Sequence, residues 1–251
     1  MIRRSIYHHY RFGSCSRYLQ DAPVGHTVLT AEPGGIRNNI NAFFKYLDEL
    51  GLVVTQRASP ELSEFADALP DDEGATLSQE QSARLIEIMG HIRRTLDAEI
   101  QGFEAYIVTP KRTDVSKLLN DTPSLLAPGV HSKLPEIAQF DLAEAGKCIA
   151  FERPTAAAFH SLRATEAVLV AFYEAIVRQK RVNRMWGPMV SDLKKRRKAR
   201  PYEVLLNNLD NIRLSFRNPT QHPELTYDIH EVQDLLALCI DAINRMARAL
   251  P

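Results

Sequence analysis

The stretch Phe151-Glu152-Arg153-Pro154-Thr155-Ala156-Ala157-Ala158-Phe159-His160 reads as the opening of a long helix. Proline is tolerated in a first helical turn, where its missing N–H has no intrahelical acceptor to lose. The spacing predicts a helix from about residue 154 to 179, because Phe159, Leu162, Leu169, Tyr173 and Ile176 recur at helical steps and share a face. Glu166 occupies the slot between Leu162 and Leu169. An ionised carboxylate on a core-facing stripe is costly unless it is paired and hydrogen-bonded, so Glu166 calls for a cation.

Two later segments carry the same period. Leu205, Leu209, Ile212 and Phe216 mark a helix from Pro201 to about Phe216, with Arg213 and Arg217 one turn apart on the adjacent face, either within reach of Glu166. Ile229, Val232, Leu236, Cys239, Ile243 and Met246 mark a last helix from about Asp228 to 250. The three are expected to pack as long antiparallel helices of one bundle. Pro219 predicts that the second helix stops by about Arg217, since proline breaks a helix interior and biases the preceding residue away from the α region. Pro223 keeps the connection open. Arg217-Asn218-Pro219-Thr220-Gln221-His222 therefore spans an interhelical loop, where a scaffold positions side chains without consuming them in packing.

Those loop residues suit phosphate chemistry. An arginine offers a planar fork of donors to phosphate oxygens, and a histidine takes or gives a proton near neutral pH. On Arg217, the polar follower Asn218 and His222, the segment from Glu136 to Pro251 resembles the HEPN superfamily (higher eukaryotes and prokaryotes nucleotide-binding domain). The resemblance implies a mainly α chain: an antiparallel HEPN-like bundle over 136–251, preceded by a helical, partly irregular region over 1–135. It implies a metal-independent endoribonuclease, a hydrolase of the toxin–antitoxin or antiviral-defence kind, with RNA as substrate and no cofactor. His222 would act as acid or base, Arg217 would hold the phosphate, Asn218 would orient phosphate or histidine, and Glu166 would hold Arg217. Cleavage by the ribose 2'-hydroxyl needs a base, an acid and positive charge on the phosphorane. A homodimer supplies the second set, because a two-fold interface sets the same loop of each copy face to face. An antitoxin or other regulatory partner is a further implication.

Each of these residues also has a plain structural reading. Arg217 can serve a helix C-terminus, where cations are favoured. Glu166 can belong to a structural ion pair, His222 can be an exposed loop histidine, His160 a packed or surface one, and Tyr227 can cap packing between helices. On those readings the bundle is a non-catalytic dimerisation or nucleotide-binding module. No phosphate loop, dinucleotide glycine pattern, paired metal-binding histidines or nucleophile elbow occurs in the sequence.

Charge divides the chain. Residues 151–251 hold 16 Lys and Arg against 11 Asp and Glu, a balance of +5, which leaves −5 for the remainder of a chain whose formal net charge is zero. Much of the excess is Lys194-Lys195-Arg196-Arg197-Lys198-Ala199-Arg200, which with Arg213 forms a candidate RNA-binding set. A solvated basic connector is the alternative. Three widely spaced cysteines, Cys15, Cys148 and Cys239, show no zinc spacing and fit a reducing cytoplasm. No membrane span and no secretory leader is expected.

The first half is read more coarsely. Residues 1–35 are expected to be irregular or extended, with a helix from Ile36 to about Leu50. Ser78 and Gln81 form a capping-box pattern ahead of a helix to about Gln101, with Leu85, Ile88, Ile92, Leu96 and Ile100 along one side. Ala105 to Thr109 has β character, and the proline-rich segment 122–135 is the expected linker.

Overall fold

The computed structural model describes residues 5–29, 34–72, 74–178, 185–222 and 225–250. Among these the chain is mainly α-helical with no strand, apart from one isolated bridge between Thr27 and Thr76. It divides into two compact units, Met1–Tyr106 and Ile107–Pro251, each with its own apolar core.

The N-terminal unit begins with α1 (Ile6–Asp21), which corrects the irregular reading of this region. Ser5 caps it by accepting the Tyr7 N–H, and Phe12, Cys15, Ser16 and Leu19 turn inward at helical spacing. Polar neighbours and a central glycine hide that short stripe in the sequence. The predicted α2 (Ile36–Leu50) ends at Gly51, whose φ of 72° is the left-handed conformation that glycine adopts without strain. Two short helices, α3 (Val53–Arg57) and α4 (Pro60–Asp67), precede α5 (Gln79–Ile100). The capping box forms as read: Gln81 N–H donates to the Ser78 hydroxyl at 3.1 Å, and Ser78 N–H to the Gln81 side chain at 3.0 Å. Leu85, Ile88, Ile92 and Leu96 enter the core, whereas Ile100 at the helix end is exposed. Phe12 stacks on Phe43 at 5.3 Å.

The C-terminal unit starts earlier than the boundary at 136 read from the sequence. Ala105 to Thr109, read as β in character, spans the boundary between the units and carries no regular secondary structure. The chain is then tied down where Lys111 meets Glu152 at 2.9 Å and Arg112 meets Asp234 at 2.5 Å. Helix α6 (Val115–Asn120) packs on α7 (Glu136–Ala150) so closely that a Cβ at Gly146 would stand 2.4 Å from the Leu118 carbonyl oxygen. The expected linker, 122–135, instead holds two 3-10 turns, and Leu126, Val130 and Leu134 at their edges belong to the core. Proline and glycine there shape tight turns, not a flexible tether.

Helix α8 (Pro154–Val177) is the centre of this unit. It packs against α7 on one side and α12 (Ile229–Ala247) on another, so its buried positions wrap beyond the single predicted stripe, while Phe159, read as a core residue, is exposed. Arg178, left-handed at φ 59°, ends it, and the expected last residue, Gln179, lies outside the described residues. Helix α9 (Trp186–Lys195) buries Trp186, whose indole N–H donates to the Leu209 carbonyl of α10 (Glu203–Ile212) at 3.1 Å. Between them Arg197–Tyr202 forms a 3-10 turn, and Tyr202 meets Phe172 of α8 edge to face at 5.1 Å.

Helix α12 starts at Asp228, which caps it and is held below the usual carboxylate range by the Glu231 N–H and then that of His230. Helices α8 and α12, the first and third of the predicted bundle helices, run parallel. Tyr227 N–H reaches the Thr155 hydroxyl at one end, and Thr165 bonds to Cys239 further along both helices. Each core buries one thiol, and burial pushes both Cys15 and Cys239 up to about 12. Among the described residues no helix is long and apolar enough to cross a membrane.

Candidate functional site

The region after α10 does not stop at Arg217. Arg213–Arg217 forms a π-helical turn, closed by the Asn218 N–H on the Arg213 carbonyl, and Asn218–Thr220 (α11) continues it helically. Asn218 sits at φ −66°, ψ −50°, in the α region despite the proline that follows. The reason lies in the widened turn. Proline breaks the regular i−4 ladder, and a π turn has already left that ladder, so Pro219 is accommodated where a regular helix would kink or end.

The backbone loosened by this turn is held by side-chain hydroxyls. The Phe216 carbonyl accepts from Thr220 Oγ1 at 2.6 Å and from the Tyr227 hydroxyl at 3.3 Å, and the two hydroxyls lie 2.6 Å apart. Tyr227 is buried, stacks near Phe216, and has its phenol pushed up by that burial. It serves packing, as read.

Glu166 finds the cation its position called for. Its Oε1 lies 3.5 Å from Arg217 Nη2, with the two side chains 24% and 28% exposed, so the pair sits at the edge of the bundle and not inside it. Arg213 takes a different carboxylate. Asp210 accepts from Lys194 at 2.9 Å and from Arg213 at 2.8 Å, and those two cations, Lys194 first, hold its carboxyl below the usual range. Arg196 pairs with Asp192 at 3.0 Å. Lys195, Arg197, Lys198 and Arg200 are exposed, so the basic run splits into an engaged half and a solvent-facing half.

Asn218 and His222 come together. With Leu214, Pro219 and Leu225 they line a shallow cavity of about 350 Å³. Arg217 is not part of that lining, because its guanidinium turns toward Glu166 on α8. Pro223 lies outside the described residues.

A second polar cluster lies on the α7–α8 face. Asp141, its side chain fully buried, lies 2.8 Å from His160 Nδ1 through Oδ1 and faces Arg163 Nε at 3.4 Å. Arg163 stands one turn from Glu166 along α8. His160 is thus a packed, paired histidine. Asp141 and Arg163 escaped the sequence reading, although an aspartate among Ala138, Leu142 and Ala145 on an apolar helix face is the kind of anomaly that singled out Glu166. Among the described residues no three His, Cys, Asp or Glu side chains converge as a metal-ligand set. No known family model, curated protein or solved structure matches the chain.

Proposed function

We propose that the C-terminal unit is a metal-independent endoribonuclease of the HEPN kind, acting on RNA at the cavity of Asn218 and His222. One observation carries the reading: the π-helical turn puts Arg217 on Glu166 while carrying Asn218 and His222 into one cavity. A widened turn of this sort is frequent at functional sites. His222 transfers the proton of the 2'-hydroxyl or of the leaving oxygen, Asn218 orients the phosphate, and Arg217, fixed by Glu166, stabilises the phosphorane when it releases toward the substrate. The exposed Lys195, Arg197, Lys198 and Arg200 steer the strand. Each cavity holds one motif histidine, so a homodimer completes the acid–base pair. A toxin or defence role with an antitoxin-like regulator, and a cytoplasmic location, follow from the same reading.

The test is direct. Purified protein incubated with mixed single-stranded RNA in EDTA should yield fragments with 2',3'-cyclic phosphate ends, and His222→Ala should slow this by about a hundredfold or more with the fold intact. If the wild type leaves varied RNAs uncut, or His222→Ala cuts as fast, the unit is a non-catalytic dimerisation or nucleotide-binding module.

A further inference from the structure

The N-terminal unit holds a feature that ribonuclease chemistry does not use. Between α1, the α2–α3 connection and the end of α5 lies a cavity of about 540 Å³, inside the range of about 300–1,000 Å³ typical of small-molecule sites. Phe12, Leu50, Leu52 and Leu96, all core residues, form its floor, and Ile100 and Phe103, both exposed, form an apolar lip. Exposed large side chains beside a hollow are the ones a ligand would cover.

Gly13 adds an independent observation. It lies in the middle of α1, where glycine destabilises a helix by about 1 kcal/mol relative to alanine. Packing does not require it, since a Cβ there would meet nothing within 4 Å, and its φ is not in the left-handed region. Gly13 does line the cavity. A larger residue there would project into the opening, so the glycine keeps the entrance clear.

The polar rim sets the ligand's charge. Arg17, Arg93 and one carboxylate, Asp97, line the cavity beside the neutral polar groups of Ser16 and Gln20, and each arginine is paired through Nε with an exposed carboxylate four residues on, Asp21 at 2.9 Å outside the lining and Asp97 at 3.5 Å within it. Exposed pairs of this kind hold weakly, so either guanidinium can turn to an incoming anion and bind it with its two-pronged fork. We infer that this cavity binds a small amphipathic carboxylate, its chain on the Phe12–Leu52–Leu96 floor and its head group between Arg17 and Arg93.

Isothermal titration of the full chain with sodium decanoate, below its micellar concentration, should show one saturable site per chain. Decanol should bind at least tenfold more weakly and decyltrimethylammonium more weakly still, and each methylene removed from the acid should weaken binding by about fourfold. Gly13→Leu should abolish binding with an unchanged or raised melting temperature. Should that variant misfold, Arg17→Ala with Arg93→Ala, both on exposed side chains, should reduce decanoate to the affinity of decanol. Absence of decanoate binding, equal or tighter binding of the alkylammonium, or undiminished binding by folded Gly13→Leu would each overturn the assignment. RNA cleavage is not read out, so failure here and failure of the nuclease proposal are separate events.

Discussion

The N-terminal unit encloses a hollow, whereas the C-terminal unit encloses charge. In the first, about 540 Å³ of mostly apolar space opens beneath surface ion pairs. In the second, the larger core is crossed by a fully buried carboxylate, Asp141, and edged by the Glu166–Arg217 pair, and its hollows are lined by charge and polar groups: one of about 550 Å³ by Lys194, Lys195, Asp210 and Arg213, and one of about 350 Å³ that carries an imidazole and an amide. On the functions proposed above, the contrast matches two tasks. Recognition of an apolar body needs volume and few polar groups. Phosphoester chemistry needs placed polar groups with open access.

If the two cores are independent, a lesion in one should leave the other standing. Phe172 is fully buried in α8 against Tyr202. Phe172→Ala should lower the stability of the C-terminal unit by about 3–5 kcal/mol, and scanning calorimetry should show a displaced transition beside an unmoved one from the N-terminal unit. A single transition that shifts as a whole would break the comparison, because the two cores would then unfold as one block.

Gly146→Ala tests the same partition from the backbone side. Its new methyl would meet the Leu118 carbonyl and Thr122 Cγ2, and forcing α6 away from α7 should destabilise by about 1–3 kcal/mol. Decanoate binding should be unaffected, since every lining residue of that cavity precedes residue 106.

A smaller change sharpens the charge side. Glu166→Gln keeps the shape of the Arg217 contact and removes its charge. RNA cleavage should fall by about tenfold, as the ion pair with Arg217 becomes a weaker contact between a cation and a neutral amide, with the melting temperature scarcely moved. Equal loss of folding and cleavage would make Glu166 a structural ion-pair member and nothing more.

The least effect is expected at Asp210. Its folded-state pKa lies below the ordinary aspartate value, held down by Lys194 and then Arg213. The sign follows: stability from this carboxylate is present above about pH 4 and disappears as pH falls through the lower folded value. Asp210→Asn should therefore cost up to about 1 kcal/mol at pH 7, and urea titrations of variant and wild type should converge as the pH falls through the lowered folded value.

Legibility in the sequence followed how local each cause was. The capping box at Ser78 and Gln81, the period of α12 and the need of Glu166 for a cation are decided within a few residues, and all three appear as read. Helix α1 was missed because its inward positions are interrupted by Gly13 and surrounded by tyrosines, histidines and arginines that face solvent. Pro219 misled because the π turn before it has already left the i−4 ladder that proline would break, while the hydroxyls of Thr220 and Tyr227 hold the neighbouring Phe216 carbonyl. The 122–135 segment has the composition of a linker, yet Leu126, Val130 and Leu134 are spaced to enter a core that only the folded α7 and α12 provide. The N-terminal cavity left a single trace, a glycine in a helix that nothing nearby explains.

The one thiol in each core gives the molecule its own stopwatch. Alkylating reagents attack the thiolate, and Cys15 and Cys239, raised to about 12, present almost none while they stay buried. Cys148, only partly buried, should be modified first and can be blocked beforehand. The labelling rate of each remaining cysteine then records how often its own half of the chain opens to solvent, so the lifetimes of the two units can be timed in one tube of native protein with no probe added to the sequence.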